Sequence, residues 1–277
     1  MRLRVVGLVA ARELREAMRS RWFAMAAICF LLLSLGLSML GLAGAQRSGL
    51  AGFDRTTASL LNLALVFVPL VTLTLGGLSI AGEIEDQSLG LLLAQPVTRL
   101  EVFAGKYTGL LAAVAAAIAV GFGATGVIVG WSAGGGDVRA FLALVAITLL
   151  LAAATLGVGT ALSVGLRSRA RVVGGAFSVW LLLVYVSDLG TIGLTVARNL
   201  APGQVFVLAL LNPVQQARVL GTLALSDRID VLGPVGVYGV DLLGAAGLVA
   251  MLVGALLATS LVTLGAGYAL FRKAAVQ

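Results

Sequence analysis

The sequence contains no histidine, and Cys29 is its single cysteine. Without histidine the chain cannot build a His-ligated haem, a His-based metal site or a His general acid–base pair. One cysteine allows no intrachain disulfide, and Cys29 lies inside an apolar run. Charge is scarce as well: Asp, Glu, Lys and Arg make up 11% of the 277 residues, against about 25% in a soluble domain. Proline is low, at 5 residues, which suits long uninterrupted helices. No G-x-x-x-x-G-K-[ST] loop occurs, because Gly105-Lys106 lacks both the upstream glycine and the following Ser or Thr. ATP binding by that route is excluded. Met18, Met25, Met39 and Met251 do not cluster as soft copper ligands.

What remains is apolar. Hydrophobic residues make up 60% of the chain and glycine contributes 36 positions. Glycine at that frequency suits helices that pack backbone to backbone in lipid. A spanning helix needs about 20 apolar residues, and the runs at 22–45, 57–81, 107–131, 138–166, 172–196 and 240–271 meet that length. The expected fold is therefore an all-α integral membrane protein of six transmembrane helices, with 1–277 as a single transmembrane domain. The fourth and sixth runs exceed a bilayer and are expected to tilt or protrude. Ala43-Gly44-Ala45 resembles a signal-peptide cleavage site. The apolar stretch before it is longer than the roughly 7–15 residues of a signal core, so it reads as a span.

The formal net charge of +7 does not point to nucleic acid, because no basic patch is interleaved with aromatics. The charges fall between apolar runs and report orientation instead. With the N-terminus inside, the inner segments hold 13 of the 19 Lys and Arg residues and carry a net +7, leaving zero outside. The positive-inside rule then places both termini in the cytoplasm.

Residues 1–21 are basic and partly amphipathic. Arg12, Arg15, Glu16 and Arg19 share one side of a helical wheel, and Val6, Ala10, Leu14 and Ala17 the other. Val5 and Leu8 depart from the pattern. Two readings stand: a solvated positive flank, or a helix lying in the cytoplasmic interface with its arginines toward lipid headgroups.

Residues 82–106 read GEIEDQSLGLLLAQPVTRLEVFAGK. Glu83, Glu85 and Asp86 close the second span on the water side. Leu89, Leu92 and Leu93 make one apolar face of a short helix, which Pro96 stops. Thr98-Arg99-Leu100-Glu101 is a capping-box pattern, so a new helix starts at Thr98 and runs into the third span. An apolar knob beside acidic residues suits docking of a partner. The same leucines could instead dip into lipid as part of an ordinary interfacial loop.

The outer loop, 197–239, is the longest. Val205–Leu211 is apolar but too short to cross a bilayer. Asn212-Pro213 supplies an N-cap followed by proline at the first helical position, opening a helix through Gln215 to Leu225. The expected element is a helical hairpin set halfway into the outer leaflet, with a simple amphipathic surface helix as the alternative. Asp188 is an acid inside a predicted span, placed in its outer third, where it reaches water or pairs with Arg198. Asn62, Asp188, Asn212 and Pro213 are the candidates for a pathway or outer gate. Pro69 is a weaker one, equally readable as a kink. The glycine pairs Gly105/Gly109 and Gly126/Gly130 have helix-contact spacing, which chance also produces in so glycine-rich a chain.

Glu83-x-Glu85, Leu91-Leu92-Leu93, Pro96, Arg99 and Gly105-Lys106 together resemble the signature of ABC-2 type permeases. Ala11-Arg12-Glu13-Leu14 with Arg19-Ser20-Arg21 is similar to that family's opening motif. The resemblance implies an N-terminal elbow helix containing Arg12, Glu13, Arg15 and Arg19. It also implies a coupling segment through Glu83, Glu85, Asp86, Leu89, Leu92, Leu93, Pro96 and Arg99 that contacts an ATPase subunit. Gln87-Ser88 stand where the family usually places small residues. Further resemblance, to the branch serving nitrous oxide reductase maturation, lies in Trp180–Leu183 with Asp188-Leu189, in Leu211-Asn212-Pro213 with Arg218–Leu220, and in Tyr268-Ala269-x-Phe271-Arg272-Lys273.

That branch implies movement of a sulfur- or copper-related species. Its implied partners are a NosF-like ATPase in two copies, a second copy of this chain, membrane lipids and a periplasmic NosD-like protein, with no nucleic acid. ATP and magnesium would sit on the ATPase, leaving this chain without a cofactor and without catalytic residues. A generic ABC-2 exporter of lipid, drug or peptide is the nearest alternative. A membrane anchor or assembly protein without transport is the alternative of another class. An enzyme is disfavoured because no His, Cys pair or acid cluster at one depth is available. A secondary transporter would require midplane polar groups and discontinuous helices, neither of which is legible.

Overall fold

The computed structural model describes residues 2–48, 52–88, 90, 97–132, 138–189, 202–225 and 233–274. Its helices are α1 (Leu3–Arg19), α2 (Arg21–Ser48), α3 (Gly52–Glu85), α4 (Arg99–Ser132), α5 (Val138–Leu166), α6 (Arg169–Leu181), α7 (Pro202–Leu210), α8 (Pro213–Leu225) and α9 (Gly233–Ala274). Beyond Leu181, α6 passes through a five-residue π-helical turn, Leu182–Val186. Six of these helices are long and apolar enough to cross a membrane: Arg21–Gly41, Thr56–Glu85, Arg99–Ile128, Val138–Leu166, Arg169–Leu189 and Val235–Lys273. The second and third extend past the expected spans, because α3 continues to Glu85 and α4 already starts at Arg99.

α3 is the central helix. In its most apolar stretch 67% of residues are buried within the chain, against 22% for α2 and 17% for both α6 and α9. α2 and α6 pack directly on it, whereas α9 packs on α5. α3 meets α5 at backbone distance through two glycines: a Cβ on Gly76 would stand 2.9 Å from the Leu156 carbonyl oxygen, and one on Gly159 only 2.7 Å from that of Leu73. Small residues let the backbones approach, which is how helices gain packing energy in an apolar solvent. Polar groups at the seam are satisfied across it. The Thr72 and Thr155 hydroxyls hydrogen-bond at 2.7 Å, and Ser163 Oγ accepts from the Ile80 and Ala81 amides at 3.0 and 2.7 Å. α3 remains helical through Pro69, and the Trp180 indole donates to the Val66 carbonyl, 2.8 Å away, just before it.

The sixth apolar run is not one helix. Gly244 interrupts α9 with φ 72 and ψ 164, a backbone conformation that glycine reaches at no steric cost. α9, which contains the span read over 240–271, therefore divides into 233–243 and 245–274. The longer piece alone rises about 43 Å at 1.5 Å per residue, enough for a bilayer. The shorter one packs on α7 instead, with the Phe206 and Tyr238 rings 5.6 Å apart. It carries Asp241, an exposed acid just inside the 240–271 run.

α3 also defines two ends. Leu61 meets α8, where a Cβ on Gly221 would lie 2.5 Å from its methyl carbons. Glu83, 22 residues further and about 33 Å along the axis, meets α1 and α4. One end is thus charged, and the other is closed by the α7–α8 hairpin.

Candidate functional site

The charged end is built from the start of α4 outward. The Glu101 amide donates to Thr98 Oγ1 at 3.3 Å, and the Thr98 amide donates to Glu101 Oε2 at 2.9 Å. Both arms of the capping box are present, so two of the helix's orphan amides are satisfied locally. Glu101 does more than cap. Its Oε1 accepts the Arg2 amide at 2.5 Å, so the start of α1 is tied to the start of α4.

α1 lies on α4 through the Gly105/Gly109 pair. A Cβ on Gly105 would fall 2.6 Å from Val9 Cβ, and one on Gly109 would fall 2.4 Å from the Ala10 carbonyl oxygen. Between the two glycines Lys106 points into the contact and is 2% exposed. Its ammonium donates to Glu13 Oε1 of α1 and also pairs with Glu83 Oε1 of α3 at 2.8 Å. Two carboxylates and one ammonium thus join three helices, with side chains no more than 15% exposed. Glu83 Oε2 is buried without a hydrogen-bond partner. Burial holds the Glu13 carboxyl above its ordinary range, although the Lys106 charge pulls the other way.

The remaining acids of this end are also engaged. Glu85 Oε2 accepts the Arg169 amide at 2.7 Å, so a side chain from α3 caps α6 while Ser168 makes no side-chain cap. The Arg169 guanidinium pairs with Asp86. Arg99 donates to the Arg272 carbonyl at 2.6 Å, reaching the far end of α9. On the outer face of α1, Arg12 pairs with Glu16 at 2.7 Å and stands 4.0 Å from Glu83. Arg15 folds back onto the Ala11 carbonyl, and Arg19 is exposed. Leu89, Leu92, Leu93 and Pro96 lie outside the described residues. Beside the triad an open cleft of ≈ 360 Å³ runs between α1, α3, α4 and α6.

The hairpin end has a second polar network. Asn212 Oδ1 accepts the Val214 amide at 2.9 Å, and Pro213 opens α8. Asn212 Nδ2 donates to the Leu183 carbonyl at 2.7 Å and to Ser187 Oγ at 2.6 Å, holding the hairpin on the π-helical turn of α6. Asp188, one turn on, pairs with Arg218 at 2.7 Å and accepts from Gln215. Its described cationic partner is therefore on α8, whereas Arg198 lies outside the described residues. Asn62 is exposed and returns its amide to Ala58 of its own helix. It does not join this network.

Lys106 and Arg218 occur in the resemblance motifs with no partner assigned, and Arg169 and Gln215 were not singled out from sequence. Their partners lie 23 to 93 residues away, beyond any local pattern. The nearest signal was Gly105-x-x-x-Gly109 bracketing a lysine in an otherwise apolar helix.

The profile of the family described as ABC-2 family transporter protein matches residues 8–276. Two relatives bear the same description, probable ABC transporter permease protein NosY. The one from Stutzerimonas stutzeri is 31% identical over 271 residues, 96% of this chain and 97% of its own length. The one from Pseudomonas aeruginosa is 32% identical over 224 residues, 78% of this chain and 81% of its own. The chain belongs to the ABC-2 family of transporter proteins. It is a membrane permease subunit that works with a separate ATPase subunit and is not itself the catalyst.

Proposed function

We propose that this ABC-2 permease forms one membrane half of a homodimeric transporter, with its charged end in the cytoplasm on two NosF-like ATPase subunits. The 85–99 knob of the coupling segment 82–106 carries the contact, through Leu89, Leu92 and Leu93. The observation that supports this reading is the Glu13–Lys106–Glu83 triad. Together with Glu101, Glu85 and Asp86 it joins α1, α3, α4 and α6 on both sides of that segment. A push delivered there by the ATPase reaches four helices at once. α1 then acts as the elbow, its exposed arginines toward the headgroups.

The likeness to two NosY proteins supports placement in nitrous oxide reductase maturation, with a sulfur- or copper-related species as cargo. The hairpin end would then face the periplasm and a NosD-like partner, and the Asn212–Ser187 and Asp188–Arg218 contacts would form the outer gate. Leu92→Asp tests the docking assignment. We expect the variant to insert normally and to lose co-purification of the ATPase subunit; undiminished co-purification would overturn the reading.

A further inference from the structure

We propose that the cleft at the charged end binds one phospholipid whose headgroup carries a phosphate and a primary ammonium, as phosphatidylethanolamine does. The cleft has a volume of ≈ 360 Å³, within the roughly 300–1,000 Å³ of small-molecule sites. Its walls divide by chemistry. Leu75, Leu78 and Leu110 supply an apolar side, and Trp22 stands at the start of α2, the position that interfacial tryptophans favour. Such a wall fits an acyl chain rather than a soluble metabolite.

The polar side suits a zwitterion. Arg12 from α1 and Arg169 from α6 converge on the same turn of α3. Arg12 stands 4.0 Å from Glu83, and a Cβ on Gly82 would lie 3.3 Å from Arg169 Nε. Each guanidinium has five N–H donors. Arg12 directs Nε to Glu16 and Arg169 directs Nη2 to Asp86, which leaves donors for one phosphate between them. Three cations line the cleft, Arg12, Lys106 and Arg169, against four carboxylates, Glu13, Glu16, Glu83 and Asp86. That balance disfavours a purely anionic headgroup and offers acceptors for an ammonium. A primary ammonium gives three hydrogen bonds where a quaternary one gives none, so ethanolamine fits better than choline.

The proposal requires this end to lie at the inner headgroups, as the permease reading has it. Its test needs no ATPase, so its failure leaves the docking assignment standing. The full chain is purified in detergent and offered phosphatidylethanolamine, phosphatidylglycerol, phosphatidylcholine or soluble glycerophosphoethanolamine, and retained ligand is counted by native mass spectrometry. We expect one phosphatidylethanolamine per chain, preferred over the other two lipids by about tenfold, as one charge-assisted hydrogen bond supplies. Glycerophosphoethanolamine should not compete. Retention should fall to background in Ser79→Phe, which fills the cleft and leaves every charge in place, and in the pair Arg12→Gln with Arg169→Gln. Equal retention of the three lipids would overturn the proposal, as would undiminished retention in Ser79→Phe. Competition by the soluble headgroup would overturn the lipid assignment in favour of a soluble ligand.

Discussion

Lys106 and Glu13 stand 93 positions apart in sequence and share a buried ion pair, with Glu83 as the second carboxylate on the same ammonium. Because the three side chains are largely buried, each charge depends on the others. Removing one member costs more than the whole group contributes.

Lys106→Met should therefore destabilise the chain by about 3–5 kcal/mol, since two buried carboxylates lose their counter-charge. Adding Glu13→Gln and Glu83→Gln to that variant should restore most of the loss. Thermal melting of the three purified proteins in detergent checks both steps.

The α1–α4 contact depends on the absence of side chains at Gly105 and Gly109. Gly109→Leu would put a side chain into the Ala10 carbonyl and Glu13 Cβ, an overpacking that costs about 1–3 kcal/mol. α1 should release while the six long helices stay. Limited trypsin digestion should then cut at Arg12, Arg15 and Arg19 faster than in the unmodified chain.

At the hairpin end Asn212 makes three hydrogen bonds, of which one is the helix cap. Asn212→Ala should cost more than the roughly 1 kcal/mol of a lost cap, because the Leu183 carbonyl on the π-helical turn also loses a donor. Asp188→Asn removes only the charge from a pair that is 28% and 36% exposed, where an ion pair contributes about 0–1 kcal/mol. Melting temperatures should fall in that order, and the reverse order would count against the cap.

Glu13 links stability to pH. Its carboxyl is held above the ordinary 4.5, mainly by burial. The folded chain therefore keeps this proton to higher pH than the unfolded chain does. The resulting stabilisation is present below the unfolded value and is lost as pH rises through the folded one. Glu13→Gln removes that contribution. The difference in melting temperature between the original chain and the variant should shift against the original chain as pH is raised from about 4.5.

Much of this was legible locally. The apolar runs marked helices long enough to span, because a lipid environment requires about 20 consecutive apolar residues. Thr98-x-x-Glu101 and Asn212-Pro213 marked helix starts, since a cap is written within four residues of chain. What was not legible is non-local or diluted. Gly105 and Gly109 dock α1, yet their spacing is common among 36 glycines. The break at Gly244 is hidden for the same reason. The partners of Lys106 and Arg218 are not legible until the fold brings in Glu13 and Asp188. For the leucines proposed to dock the ATPase, the sequence pattern is the source, since Leu89, Leu92 and Leu93 lie outside the described residues.

The charged end, joined through Glu13, Lys106, Glu83 and Glu101, is proposed to move as one body when the ATPase acts. Spin labels at Arg15→Cys on α1 and Leu100→Cys on α4 both sit on exposed side chains, and Cys29→Ser clears the single native thiol. The distance between the labels is measured within the complex with its ATPase subunit, first without nucleotide and then trapped with ATP. One unchanged distance distribution is expected in both states. A shift of that distribution on trapping would show α1 and α4 moving apart and would contradict it.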